Sequence, residues 1–178
     1  MHRPKRSGTR SALAAALGLA SLAPPATALP LLSEVFYDAT GSDNGLSFVE
    51  IFGAPGTSLD GLVVEGVNGG DGAVSPRLTL SGVIPGDGLF VVADDAGRGT
   101  TNVASADQGQ TSDYQSGPDA IVLRRGDTVL DAVAYGEFAP GEVLAGEGLP
   151  APDGPAGTSL ARRFADRDTG DNAADFVV

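Results

Sequence analysis

The sequence contains no cysteine and no tryptophan, and its one histidine, one methionine and one lysine are His2, Met1 and Lys5, all near the start. Each absence removes a class of chemistry. Without cysteine there is no disulfide, no thiolate nucleophile and no zinc–thiolate centre. Beyond the first residues, the lack of histidine excludes a Ser–His pair and imidazole metal ligation. The lack of lysine there excludes a Schiff base, and with it an isopeptide cross-link of the kind some secreted sandwiches carry. Carboxylates, hydroxyls, tyrosine and arginine remain. That inventory can serve carboxylate-pair hydrolysis, hard-cation binding, or solubility alone.

What is present begins with a leader. Arg3, Lys5, Arg6 and Arg10 are basic, Ser11 to Ala23 are largely apolar, and Pro24-Pro25 precede Ala26-Thr27-Ala28. Basic, apolar and small segments in this order make a secretory signal peptide cut near Ala28, so the protein is expected to be secreted or periplasmic. The apolar part is shorter than the roughly 20 residues of a membrane helix, and no membrane insertion is expected. The expected organisation is a signal peptide over 1–28, a β-domain over 29–137, and a Gly- and Pro-rich arm with an acidic closing segment over 138–178.

After the leader, seven arginines face all 23 acidic residues, a formal charge of −16 over the 150 residues that follow. Phosphate binding needs clustered Lys and Arg, so nucleic acid is not an expected direct partner. Anionic membrane surfaces are disfavoured for the same reason.

Short apolar runs punctuated by Gly, Pro, Asn and Asp predict strands at Leu31 to Tyr37, Phe48 to Phe52, Leu59 to Glu65, Leu78 to Leu80 and Leu89 to Ala93. Gly66 to Pro76 reads as a loop. Asp94 to Pro118 is long and polar, with room for one short strand around Asn102 to Ala104. A hairpin follows, Ala120 to Leu123 and Val129 to Tyr135 about Gly126-Asp127. Thr158 to Phe164 and Asp175 to Val178 read as extended pieces docking on the sheet. No helical period is sustained, so the fold class is all-β, a sandwich or barrel.

Several segments, taken in order, carry a likeness to a family. They are Ser33-Glu34-Val35-Phe36-Tyr37-Asp38, Phe48-Val49-Glu50-Ile51 and Leu59-Asp60-Gly61-Leu62. Ile84-Pro85-Gly86-Asp87, Leu89 to Asp94, Asp119 to Leu123 and Val129 to Gly136 follow, then Ser159 to Arg163 and Asp168 to Phe176. Together they resemble the lamin tail domain in its bacterial secreted form. Two positions depart from that pattern: Gly53 stands where Asn is typical, and Leu62 where an aromatic is typical. The resemblance implies an immunoglobulin-like β-sandwich with an irregular C-terminal extension, and no catalytic residues. It implies an interaction or structural module whose partner is a protein, an envelope polymer or a second copy.

Two sets of residues stand out in the tail. Asp166, Asp168, Asp171, Asn172 and Asp175 form the densest oxygen cluster. Either it is a turn bonded to its own backbone, or it is a weak calcium site in a calcium-stabilised surface or matrix domain. The EF-hand spacing is absent, with Gly170 at the fifth position and Val177 at the twelfth. Asp38, Asp43 and Asn44 offer the same two readings, and Asp94-Asp95 end a strand. Arg162 or Arg163 is expected to pair with a carboxylate between 166 and 175 and pin the tail. Glu34 and Glu50, in apolar strands, are the carboxylates a hydrolase would use. The expectation is nevertheless a non-enzyme without cofactor.

Overall fold

Alternation sets the inner faces. In the computed structural model, which describes residues 29–178, β1 (Leu31–Phe36) buries Leu32 and Val35, and β2 (Phe48–Phe52) buries Val49 and Ile51. The leader expected over residues 1–28 and the cleavage expected near Ala28 lie outside the described residues. β3 (Leu62–Asn68), β4 (Val74–Thr79), β5 (Leu89–Asp94) and β6 (Gln108–Gln110) follow. β7 (Asp119–Arg125) and β8 (Thr128–Tyr135) form the expected hairpin, and β9 (Leu160–Arg162), a single helical turn α1 (Asn172–Asp175) and β10 (Phe176–Val177) complete the chain.

The strands make two sheets packed face to face, an immunoglobulin-like β-sandwich. One runs in the order β10-β9-β1-β2-β5-β6 and the other β4-β3-β7-β8. Leu32, Val35, Val49, Ile51, Phe90 and Val92 of the first meet Leu62, Val64, Ile121, Leu123 and Val133 of the second in one apolar cluster. Tyr37 and Tyr135 stack across it, ring centroids 4.1 Å apart. Burying each large side chain contributes on the order of 1.5–3 kcal/mol, the main favourable term here. Both extended tail pieces become strands: β9 pairs with β1 and β10 with β9, so the closing segment belongs to the six-stranded sheet.

Three strand expectations shift. β3 begins at Leu62 rather than Leu59, because Leu59 closes a turn in which Leu62 N–H donates to its carbonyl at 2.9 Å. β3 then runs on through Gly66, read as loop. A Cβ at Gly66 would stand 2.6 Å from the Ser75 carbonyl oxygen, so glycine here lets β4 approach closely. β4 itself starts at Val74 within the same stretch, as an edge strand that tolerates Pro76. The extra strand of the long loop is β6 at Gln108–Gln110, not 102–104; it pairs parallel with β5. Among the described residues no helix is long and apolar enough to cross a membrane.

Candidate functional site

Arg162 is where the chain concentrates its polar chemistry. In β9 it shares the inward face with Leu160, and its side chain is wholly buried. On β8, Asp131 lies on the inward parity with Val133 and Tyr135, so a carboxylate from one sheet meets a guanidinium from the other. Arg162 Nη2 donates to both Asp131 oxygens at 2.8 Å. Nη1 donates to Asp175 Oδ2 at 3.0 Å and to the Arg167 carbonyl at 3.1 Å, and Nε to the Leu32 carbonyl at 2.9 Å. The guanidinium also sits 4.6 Å over the Phe176 ring. The β1 register slips between Leu32 and Glu34, and β9 reaches only Glu34 and Val35. Leu32 therefore has no strand partner on that side. Asp131 Oδ2 takes its N–H at 2.6 Å and Arg162 takes its carbonyl. A charge pair with every bond made avoids the penalty that a bare buried charge would bring.

The tail residues expected from sequence take separate positions. Arg163 and Asp166 face solvent. Asp175 is buried, accepting from Arg162 and from Thr169 N–H and Oγ1. Asp171 caps α1. Asn172 is fully buried: its Oδ1 accepts from Ala134 N–H at 2.9 Å and Glu147 N–H at 2.8 Å, and its Nδ2 donates to the Ala132 carbonyl at 2.7 Å. It thereby covers the free edge of β8. Ala151 continues the cover, with Ala151 N–H on the Ala134 carbonyl at 2.7 Å. Asp168 bonds Gly170 N–H and stands 3.7 Å from Arg162.

One carboxylate group does converge. Oxygens of Asp131, Glu147 and Asp168 lie within 4.8 Å of one another. Arg162 already balances Asp131, so this is an arginine-centred cluster with an excess of negative charge. Glu147 Oε2 is buried there without a hydrogen-bond partner among the described residues. Burial first, then the Asp131 and Asp168 charges, push the Glu147 carboxyl up to about 7, against the pull of Arg162. Burial likewise raises Asp131, against Arg162. A folded-state acid held above its ordinary value binds more protons folded than unfolded. Its contribution to stability is therefore greatest in acid and falls as pH rises from about 4.5 to about 7. We expect the melting temperature to rise as pH drops from 8 to 5.5, and Glu147→Gln to flatten much of that rise and to be the more stable variant at pH 8. A pH series of thermal unfolding on both proteins checks this; identical slopes would contradict it.

The outer face of the four-stranded sheet carries a groove of about 510 Å³. Val67, Val122 and Ala132 form its floor, and the arm at Ala145 to Glu147 forms one wall. The arm lies close because Gly146 has no side chain: a Cβ there would stand 2.4 Å from Ala134 Cβ. Val74 and Val129 line the groove while about half exposed. At one end Glu65, almost fully buried, is held between Arg77 and Arg124, the latter with Nε 3.1 Å from Glu65 Oε2. The Arg77 side chain stays 57% exposed, so its remaining donors are open to a ligand. Arg124-Arg125, read from sequence as a solvated hairpin end, thus divides: Arg125 is exposed and Arg124 joins this triplet.

Glu34 and Glu50 are cross-strand neighbours, each bonded to a serine: Ser159 Oγ to Glu34 at 2.5 Å and Ser33 Oγ to Glu50 at 2.7 Å. Burial raises Glu50. Neither lines the groove, nor a larger concavity of about 880 Å³ formed mostly by Gly and Pro around Gly117, Pro118 and Pro150. Three residues of these sites were missed in the sequence. Asp131 carried a signal, a carboxylate on the inward parity of an apolar strand. Glu65 carried the same signal more weakly. Glu147, in an irregular arm, carried none. Comparison with known protein families, with curated proteins and with solved structures finds no match for this chain.

Proposed function

We propose that the chain is an exported, non-enzymatic interaction module of lamin-tail type that docks an extended partner segment in the groove on its four-stranded sheet. The groove carries this reading: an apolar floor, half-exposed valines at the rim, and two guanidiniums at one end of an otherwise strongly acidic protein. A concave groove of this size, with an apolar floor and a few polar groups at its end, is the usual form of a binding site. The Arg end selects a segment that combines aliphatic side chains with a carboxylate, since a guanidinium pairs carboxylates bidentately. The resemblance to lamin tails supports a binding role independently of the groove. Arg162, Asp131 and Asp175 bond one another inside the sandwich, a structural use of these charges that supports a non-enzyme.

The test is an NMR titration of the protein with a peptide of alternating valine and aspartate, beside one of valine and lysine. The acidic peptide should perturb Val67, Val122, Arg124 and Val129, and Val122→Arg should weaken binding at least tenfold. Perturbations elsewhere, or an equal response to the lysine peptide, would contradict the assignment.

A further inference from the structure

The outer face of the six-stranded sheet lies on the opposite side of the sandwich from the groove. Alternation turns Val35, Val49 and Ile51 inward, so Glu34 and Phe36 of β1 and Phe48, Glu50 and Phe52 of β2 point outward. The register arranges them in rows across the strands. Phe36 stands opposite Phe48, Glu34 opposite Glu50, and Leu31 opposite Phe52. β5 extends the last two rows with Val91 beside Glu50 and Leu89 beside Phe52. Phe36 and Phe48 stack with ring centroids 5.7 Å apart. All three phenylalanines are half-buried, and none joins the apolar clusters that close the sandwich or floor the groove.

Two like charges therefore face each other in the middle of an aromatic sheet face. Carboxylates directly opposite across a strand pair destabilise a sheet. Among the described residues neither Glu34 nor Glu50 takes part in an ion pair. Each accepts one serine hydroxyl, from Ser159 and Ser33 respectively, and a hydroxyl supplies a proton but no charge. Burial first, then the charges of Glu34 and Asp87, push the Glu50 carboxyl up against the pull of Ser33. The apolar rows on either side lower the local dielectric, which strengthens both the repulsion within the pair and its attraction for a cation.

We propose that this face docks a cationic protein segment, seating an arginine guanidinium between Glu34 and Glu50 and against the neighbouring phenyl rings. Charge and shape agree on that occupant. A planar guanidinium pairs with carboxylates through two parallel donors and also stacks on aromatic faces, whereas an ammonium is a compact, strongly hydrated point charge. A neutral sugar could stack on the rings but would leave the opposed charges uncompensated. Calcium needs six to eight oxygens, and here two carboxylates and two serines stand among apolar side chains. The charge of −16 after the leader adds long-range attraction for such a segment. Since the groove ends in Arg77 and Arg124, the two outer faces of the sandwich attract segments of opposite charge.

An NMR titration with a peptide of alternating arginine and valine tests the face, beside the lysine counterpart and a neutral glucan oligosaccharide. The arginine peptide should shift Glu34, Phe48, Glu50 and Val91 and bind more tightly than the lysine peptide. Glu34→Gln with Glu50→Gln should weaken its binding at least tenfold. Asp113→Asn with Asp166→Asn removes the same charge at two exposed positions and should leave the affinity within about twofold, which separates docking from general attraction to an acidic protein. The glutamine pair keeps both serine acceptors and loses the repulsion, so it should melt at or above the parent temperature. No binding of the arginine peptide at millimolar concentration, equal weakening in the two double variants, or shifts confined to the groove would overturn the proposal. So would binding of the glucan in place of the peptide, or a glutamine pair that melts well below the parent.

Discussion

Replacing Arg162 by alanine is expected to destabilise the protein by about 3–5 kcal/mol, a fall of roughly 6–20 °C in melting temperature. The size follows from what is left behind. Asp131 and Asp175 are almost fully buried and lose the one cation they have among the described residues, while Glu147 and Asp168 stand close by. The Leu32 and Arg167 carbonyls also lose their donor. Lysine should rescue little, because one ammonium has three donors and five bonds are made. The loss should shrink in acid, because burial raises the Asp131 carboxyl and Arg162 is the main influence opposing that rise. Combining Arg162→Ala with Asp131→Ala should cost less than the sum of the two, with a coupling of about 1–3 kcal/mol. Strict additivity would mean that the two sheets are not joined through this pair.

Asn172→Ala should give the second largest loss, about 2–4 kcal/mol, because it strands Ala134 N–H, Glu147 N–H and the Ala132 carbonyl at the covered edge of β8. Asp in place of Asn should do no better. It keeps the acceptor but removes the donor to Ala132, and it adds a negative charge near Glu147. Since Asn172 ties Glu147 and hence the groove wall, the variant should also weaken groove ligands. Chemical denaturation measures the first effect and the peptide titration the second. A loss below about 0.5 kcal/mol would show that water replaces the amide.

The fold was readable where local pattern and tertiary role agree. Phe48 to Phe52, Leu89 to Asp94 and the hairpin from Asp119 to Tyr135 each bury alternate or continuous apolar residues, and the strands follow. The pattern failed at edges. β4 presents mostly exposed residues and a proline, and β6 is Gln-Gly-Gln, held by backbone pairing and by Gln108 and Gln110 side chains on the Thr79 carbonyl. Neither has a hydrophobic period to detect. The polar sites show the same division. Arg162 and Arg163 stood out together as arginines beside a dense acidic segment, and the contact that Arg162 makes with Asp175 is local in the chain. Its stronger partner, Asp131, lies 31 residues away on the opposite sheet, and only topology brings the two together. Asp171 and Asn172 looked like cation ligands because a cap, a buried amide and a metal site all draw on the same short oxygen-bearing side chains.

Native-state hydrogen exchange tests the central physical claim, that the closing segment is part of the sandwich and not an appendage. The amides of Leu32, Arg163 and Thr169 rest on Asp131 and Asp175, so they should exchange only through global unfolding, in the same slow class as the core of β7. In Arg162→Ala they should open well before that core. If the tail amides of the parent protein exchange through local opening while β7 stays protected, the arginine-centred network does not hold the two sheets together and the account fails.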